Sequence, residues 1–308
     1  MSTKNSIEVN LPGQAAAVPQ PPMLPGVPFN NPEEIGAELD LTRSYADMMP
    51  YFEFCLTQSM KTRDAMNCIE DIRVGAREEE RIDVFPNPNP KAPILIFVHG
   101  GWWLKTTRKH WSYTAYGFVQ HGYTVIVSDY TLCPKGRIPD ITQANRAAVA
   151  WAYEHADEIN GDRDRIYLAG HSAGGQQAGM MAVTDWVQHG LPADVLKAVV
   201  PLSGIFDMRV IQHSYLNGFV QLNGESVQTQ SAILHIPDSA PPIQLMVAEE
   251  ESTEFHRQAE EFLEAWKAKK LDGSLVIIPD EDHSTYIFEM GHPDSPTCNA
   301  VVDFFKKH

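Results

Sequence analysis

Ser172 stands in the run Leu168-Ala169-Gly170-His171-Ser172-Ala173-Gly174-Gly175, which contains the pattern G-x-S-x-G. An apolar, strand-like stretch precedes it and a helical stretch follows. A serine on such a tight strand-to-helix turn has its hydroxyl lifted clear of the sheet, with the free N–H groups of the helix start behind it. Side chains at the flanking positions would collide with each other and with the neighbouring strand, which is why they are glycines. This is the setting of a nucleophile that attacks a carbonyl carbon. The N–H of Ala173, next in the chain, is a donor for the oxygen that becomes negative. A glycine-rich turn with a capping serine would give the same letters; the strand before and the helix after favour the nucleophile.

A second chemical element lies upstream. His99-Gly100-Gly101-Trp102-Trp103 follows an apolar run over 93–98. Two glycines after a strand let the backbone turn its N–H groups toward a developing oxyanion, where each fixed donor is worth about 2.7–4 kcal/mol. His99 reads as a structural hydrogen-bonder rather than a base. Trp102, Trp103 and Trp111 surround this element, and Phe206, Tyr215 and Phe219 fall in a later irregular stretch. Such rings could wall an aryl or acyl pocket, although Trp103 and Phe206 read equally well as core.

The elements that must hold these residues alternate. Edge-like strands are expected over 68–73 and 81–85, and buried strands over 93–98, 123–128, 165–169, 196–202, 243–247 and 275–278. Between them, Asp140 reads as the N-cap of a helix that carries Ile141, Ala144, Ala148 and Trp151. A helix is expected over 172–187, stopped by Gly190. Ser252 or Thr253 should cap another, with Phe255, Ala259, Phe262 and Trp266 on one face, and a last helix covers 298–307. Strand–helix alternation calls for a mainly parallel sheet with helices on both sides. Residues 1–35 read as a Pro-rich extended arm. Residues 36–66, with Tyr45, Tyr51, Phe52 and Phe54, read as a helical segment that could cover a site, or equally pack on the domain edge. Residues 67–308 form the α/β unit, with a cap insert at about 205–240.

Composition narrows the classes of partner. The 308 residues carry a formal charge of −16 and 43% hydrophobic residues, with a pI near 5.1. So acidic a chain would be repelled by nucleic acid and by anionic membrane surfaces. No stretch approaches the ~18 apolar residues of a membrane span, and the first residues lack the apolar core of a signal peptide. Cys55, Cys68, Cys133 and Cys298 have irregular spacing and read as reduced, buried thiols. A cytoplasmic location is expected. The 12 histidines include no H-x-x-x-H or H-E-x-x-H spacing, so a metal hydrolase is not expected.

Together these residues resemble kynurenine formamidase (arylformamidase) and related esterases of the hormone-sensitive-lipase-like branch. The resemblance rests on H-G-G-x-W and G-H-S-A-G-G. Supporting it are Tyr130-Thr131-Leu132-Cys133-Pro134, Leu202-Ser203-Gly204-Ile205-Phe206-Asp207 and Glu254-Phe255-His256-Arg257-Gln258. It covers roughly residues 65–308 and implies an α/β-hydrolase fold, with hydrolysis of formamides, aryl esters or short acyl esters without cofactor or metal. It also implies that the N–H groups of Gly101 and Trp102 hold the oxyanion.

In that fold the order is serine, acid, histidine. His283, in Asp280-Glu281-Asp282-His283-Ser284 just after the last strand, is the expected base, with His292 as the alternative. The acid should follow the strand over 243–247 and orient the imidazole. Glu249, Glu250 and Glu251 all lie there; Glu251 matches the family position, and Asp207 is a further alternative. The family usually carries Asp at this point, so a glutamate weakens the formamidase reading more than the hydrolase reading. The expected activity is cleavage of a small carboxylic ester through an acyl-enzyme on Ser172, followed by arylformamidase or small-amidase activity. A non-catalytic, hydrolase-fold binding protein is the remaining alternative; it is disfavoured because both the serine and histidine positions are filled. The expected partner is a small-molecule ester or amide.

Overall fold

The computed structural model describes residues 27–29, 31–41 and 48–308. The arm before residue 27 and Tyr45 lie outside the described residues. Among the described residues, eight strands form one sheet in the order β1-β2-β4-β3-β5-β6-β7-β8. They are β1 (Ile69–Arg73), β2 (Arg81–Phe85), β3 (Ala92–Val98), β4 (Thr124–Ser128), β5 (Gly161–His171), β6 (Leu196–Leu202), β7 (Ile243–Ala248) and β8 (Gly273–Ile278). β2 runs antiparallel to both β1 and β4, and all other pairs are parallel.

The period of two along each strand divides the core. Ile94, Ile96 and Val98 of β3 join Ile126, Ile166, Leu168 and Val247 in one apolar cluster. The intervening Leu95 and Phe97 join Val125, Val127, Tyr167, Ala169 and Met246 in the other. This explains why these strands read as unbroken apolar runs: both faces are covered. The first cluster is closed by α1 (Pro32–Glu38), α5 (Ile138–Glu154), α6 (Ala173–Ala182) and α10 (Thr253–Ala268). The second is closed by α2 (Met49–Ala65), α3 (Arg108–Trp111), α4 (Thr114–Gln120), α11 (Thr285–Phe288) and α12 (Pro296–Phe305). The insert between β6 and β7 holds α7 (Arg209–Gln212), α8 (Asn217–Val220) and α9 (Gly224–Gln230). It is anchored by buried Val210, Ile211, Val220 and Val227.

The ends of α1, α5, α6 and α10 differ from expectation, the first three for a local reason. Helix α1 begins inside the stretch read as arm. Asn31 accepts the Glu34 N–H at 2.9 Å, and Pro32 occupies a first-turn position that needs no N–H. Helix α5 starts at Ile138, with Arg137 at the N-cap. Asp140 sits three residues further on and accepts the Arg137 N–H at 2.9 Å, because Pro139 again fits the first turn. Helix α6 ends at Ala182 rather than 187. There Asp185 caps a separate 3-10 turn, Trp186–His189, that Gly190 terminates with φ +77°. Finally, neither Ser252 nor Thr253 caps α10 from within: Ser252 Oγ is buried without a partner among the described residues. Glu38 of α1 caps it from outside, accepting from Thr253 Oγ1 at 2.7 Å and from the Glu254 N–H at 3.1 Å.

No helix among the described residues is long and apolar enough to cross a membrane. The four cysteines are free thiols. Burial pushes Cys55 and Cys298 up to about 12, so neither forms a thiolate nucleophile near neutral pH.

Helix α10 depends on Phe262, which is fully buried and stacks on Phe206 of the insert with ring centroids 4.3 Å apart. Phe262→Ala should therefore cost about 3–5 kcal/mol in guanidinium unfolding. A loss below ~1 kcal/mol would show that this face of the sheet is not the packed core described.

Candidate active site

The site is assembled at the carboxyl ends of β3, β5, β6, β7 and β8. Ser172 follows β5 directly, with φ +57° and ψ −115°, a conformation that costs a side-chain-bearing residue of the order of 1–3 kcal/mol. Its N–H is tied to the Leu202 carbonyl at 2.8 Å. A methyl on Gly170 would lie 2.2 Å from the Gly174 carbonyl oxygen, and one on Gly174 would lie 2.0 Å from that of Val98. The turn can thus exist only with both glycines, and their absence of side chains lets α6 abut the end of β3.

That end of β3 leads into the His99–Trp103 turn. Trp102 and Trp103 both adopt left-handed backbone, with φ of +53° and +58°. The Gly101 carbonyl points back into the turn and accepts the N–H groups of Leu104 and Lys105, both at 2.9 Å. The N–H groups of Gly101 and Trp102 donate to no acceptor among the described residues. Buried polar groups brace this turn. His99 donates from Nε2 to Asp129 Oδ1 at 3.1 Å and stacks on Tyr130 at 4.3 Å. The Tyr130 hydroxyl donates to the His99 carbonyl at 3.0 Å, and Arg108 Nη1 donates to Asp129 Oδ2 at 2.8 Å. Trp103 is core, fully buried, and its indole N–H reaches Gln176 of α6 at 3.3 Å.

Among the described residues, the Glu251 carboxylate is the one of the three consecutive glutamate side chains that reaches an imidazole. Its Oε2 lies 2.6 Å from His283 Nδ1, and both side chains are buried, at 0% and 9% exposure. Glu249 is exposed and accepts the Asp280 N–H, Glu250 is exposed, and Asp207 is paired with Arg209. His292 stands on a separate turn, where its Nδ1 accepts the Asp294 N–H at 3.3 Å. The other oxygen of Glu251 accepts the Ala248 N–H at 2.9 Å and the Ser203 hydroxyl at 2.5 Å. The Tyr286 hydroxyl contacts Ser203 Oγ at 2.5 Å. Burial and the Glu251 charge raise Tyr286 well above the usual phenol range, so it stays a donor. His283 Nε2 is buried and has no partner among the described residues.

Ser203, Tyr286 and His171 escaped sequence reasoning. Ser203 had a faint signal, standing directly after a strand end as Ser172 does. Tyr286 had none.

A cavity of about 150 Å3 lies beside Ser172 and His283. Gly101, Trp102, Ser172 and His283 line one part of it; Asp40, Leu41, Met48, Tyr51 and Phe52 of the N-terminal segment line another. Of the aromatic residues expected at the wall, Trp111 and Tyr215 also border it. Phe206 is buried core and Phe219 is exposed.

The sheet, the strained serine turn and their order along the chain define an α/β-hydrolase. Residues 82–266 match the BD-FAE family, and the chain belongs to that family and is a hydrolase. It is 28% identical to the kynurenine formamidase of Danio rerio over 237 residues, covering 75% of this chain and 79% of that protein. It is 26% identical to the esterase LipC of Mycobacterium tuberculosis, covering 71% of this chain and 59% of that one. A crystal structure from Silicibacter sp. TM1040 superposes with a TM-score of 0.77 at 26% identity, covering 89% of this chain and 99% of that chain.

Ser203→Ala removes a hydrogen bond to a buried carboxylate, an interaction worth roughly 1.5–3 kcal/mol. Turnover of an aryl ester should fall by about 10-fold or more. Unchanged kcat in this variant would show that Ser203 does not bear on the Glu251–His283 pair.

Proposed function

We propose that this chain is a serine hydrolase that cleaves small carboxylic esters through an acyl-enzyme on Ser172. One observation carries the reading. A buried imidazole has one nitrogen bonded to a buried carboxylate at 2.6 Å and the other without a partner among the described residues, beside a cavity that Ser172 also lines.

In this reading His283 Nε2 takes the Ser172 proton as Oγ bonds to the carbonyl carbon, and the carbonyl electron pair moves onto oxygen. Glu251 holds the imidazole in the Nδ1–H tautomer and stabilises the imidazolium that forms. The N–H groups of Gly101, Trp102 and Ala173 receive the oxyanion; the first two have no acceptor among the described residues. Collapse of the tetrahedral intermediate expels the alcohol or phenol, protonated by His283. Water then repeats the sequence and frees the carboxylic acid. A glutamate suits the acid's role here because Ser203 and the Ala248 N–H take up its second oxygen.

A small acyl or aryl group fits a cavity of about 150 Å3 bordered by Trp102, Trp111, Phe52 and Tyr215. The second reading is hydrolysis of an aryl formamide or other small amide, favoured by the similarity to the Danio rerio kynurenine formamidase. Esters stand first because an alkoxide or phenoxide leaves more readily than an amide nitrogen.

Purified protein assayed on p-nitrophenyl acetate beside N-formylkynurenine separates the two. A higher kcat/KM on the ester is expected, and a strong preference for the formamide would reverse the ranking. Ser172→Ala should lower kcat by a factor on the order of 10⁶ and abolish fluorophosphonate labelling. Glu251→Gln should lower kcat by a factor of about 10⁴, because an amide no longer enforces the working tautomer. If wild-type protein takes up no fluorophosphonate, the proposed nucleophile is wrong.

A further inference from the structure

His171, the variable residue of G-x-S-x-G, occupies the last position of β5. Its ring is 4.8 Å from that of His283, and the ring centroids of Trp111 and Tyr286 are each 5.6 Å away. Nε2 lies 2.9 Å from the backbone carbonyl oxygen of His283. A carbonyl can only accept, so Nε2 carries the hydrogen, and in the neutral ring Nδ1 is a bare lone pair. Nδ1 is buried and has no partner among the described residues. A methyl on Gly100 would come within 3.2 Å of it, so it packs against backbone. Protonation would bury a charge and an N–H with no acceptor. Burial and the neighbouring His283 hold this imidazole well below the ordinary histidine range. The titratable groups facing it are His283 and Tyr286.

We propose that His171 is a positioning residue for the base: a neutral imidazole of fixed tautomer whose N–H holds the His283 peptide carbonyl. This rests on the serine-hydrolase reading above. Its physical basis is that Ser172 and His171 are adjacent in the chain. The strained turn that sets the nucleophile therefore also sets the group that grips the base, and the spacing of the two runs through one peptide unit and one hydrogen bond. Glu251 fixes His283 at Nδ1; without a second attachment the ring could still swing about that bond. An apolar residue at position 171 would fill the space equally well but could not hold the carbonyl. A cationic residue would oppose formation of the His283 imidazolium, so a histidine kept neutral by burial meets both demands.

Two variants separate holding from filling. His171→Phe keeps an aromatic ring and loses the donor; His171→Gln loses the ring and keeps an N–H donor at similar reach. On p-nitrophenyl acetate, His171→Phe should lose roughly 10- to 100-fold in kcat, the scale on which a ~1 Å misplacement acts, with KM within about twofold of wild type. Its rate of fluorophosphonate labelling should fall in parallel. His171→Gln should recover most of both. Retention of wild-type kcat by His171→Phe would overturn the proposal, as would a His171→Gln variant no better than His171→Phe. Wild-type protein that labels and turns over normally while His171→Phe matches it removes only this proposal. Wild-type protein that neither labels nor turns over removes the underlying reading.

Discussion

Where α6 begins, its first turn presses against the carboxyl end of β3 so closely that a single methyl on Gly174 would stand 2.0 Å from the Val98 carbonyl oxygen. The rest of the site depends on that contact. It brings the Ser172 turn beside the His99–Trp103 turn, although more than sixty residues separate them in the chain. Gly101, Trp102 and Ser172 thus border one small cavity. The cost is strain, with left-handed φ at Trp102, Trp103 and Ser172. Burial on both faces of the sheet offsets it, since the turns are held at the ends of strands that cannot shift.

The opposite side of the cavity is held by charge. A buried carboxylate is tolerated only where its lone pairs are met. Glu251 meets that condition through Ser203, the Ala248 N–H and His283. Each donor comes from the end of a different strand or from the segment after one, so the acid is correctly placed only when β6, β7 and β8 are in register. Asp129 plays the matching structural part behind the His99–Trp103 turn, where His99 and Arg108 share its two oxygens. Two buried acids, one behind each half of the site, explain how an acidic chain keeps its centre rigid.

The N-terminal segment completes the cavity. Ile35 and Leu39 are fully buried in the core cluster that α10 also closes, and Glu38 supplies the α10 cap that Ser252 does not. Asp40, Leu41 and Met48 then line the cavity. Helix α10 follows Glu251 directly, so the segment that walls the pocket also steadies the helix beside the proposed acid.

Patterns of short range were legible from the residues alone. Unbroken apolar runs marked the parallel strands because both sheet faces are covered, and G-x-S-x-G marked its turn because backbone sterics there admit only glycine. The Ser172 and His99–Trp103 elements could be read for the same reason. Helix ends were misjudged where proline and an acid three residues on shared the capping, as at Pro139 and Asp140. The cap of α10 was out of reach because Glu38 arrives from more than two hundred residues away. Nor could adjacency in sequence separate Glu249, Glu250 and Glu251: three neighbouring carboxylates differ only in the direction the turn after β7 sends them. That direction, like the meeting of Ser203, Tyr286 and His171 around His283, is decided by strand order and register, which exist only once the sheet has formed.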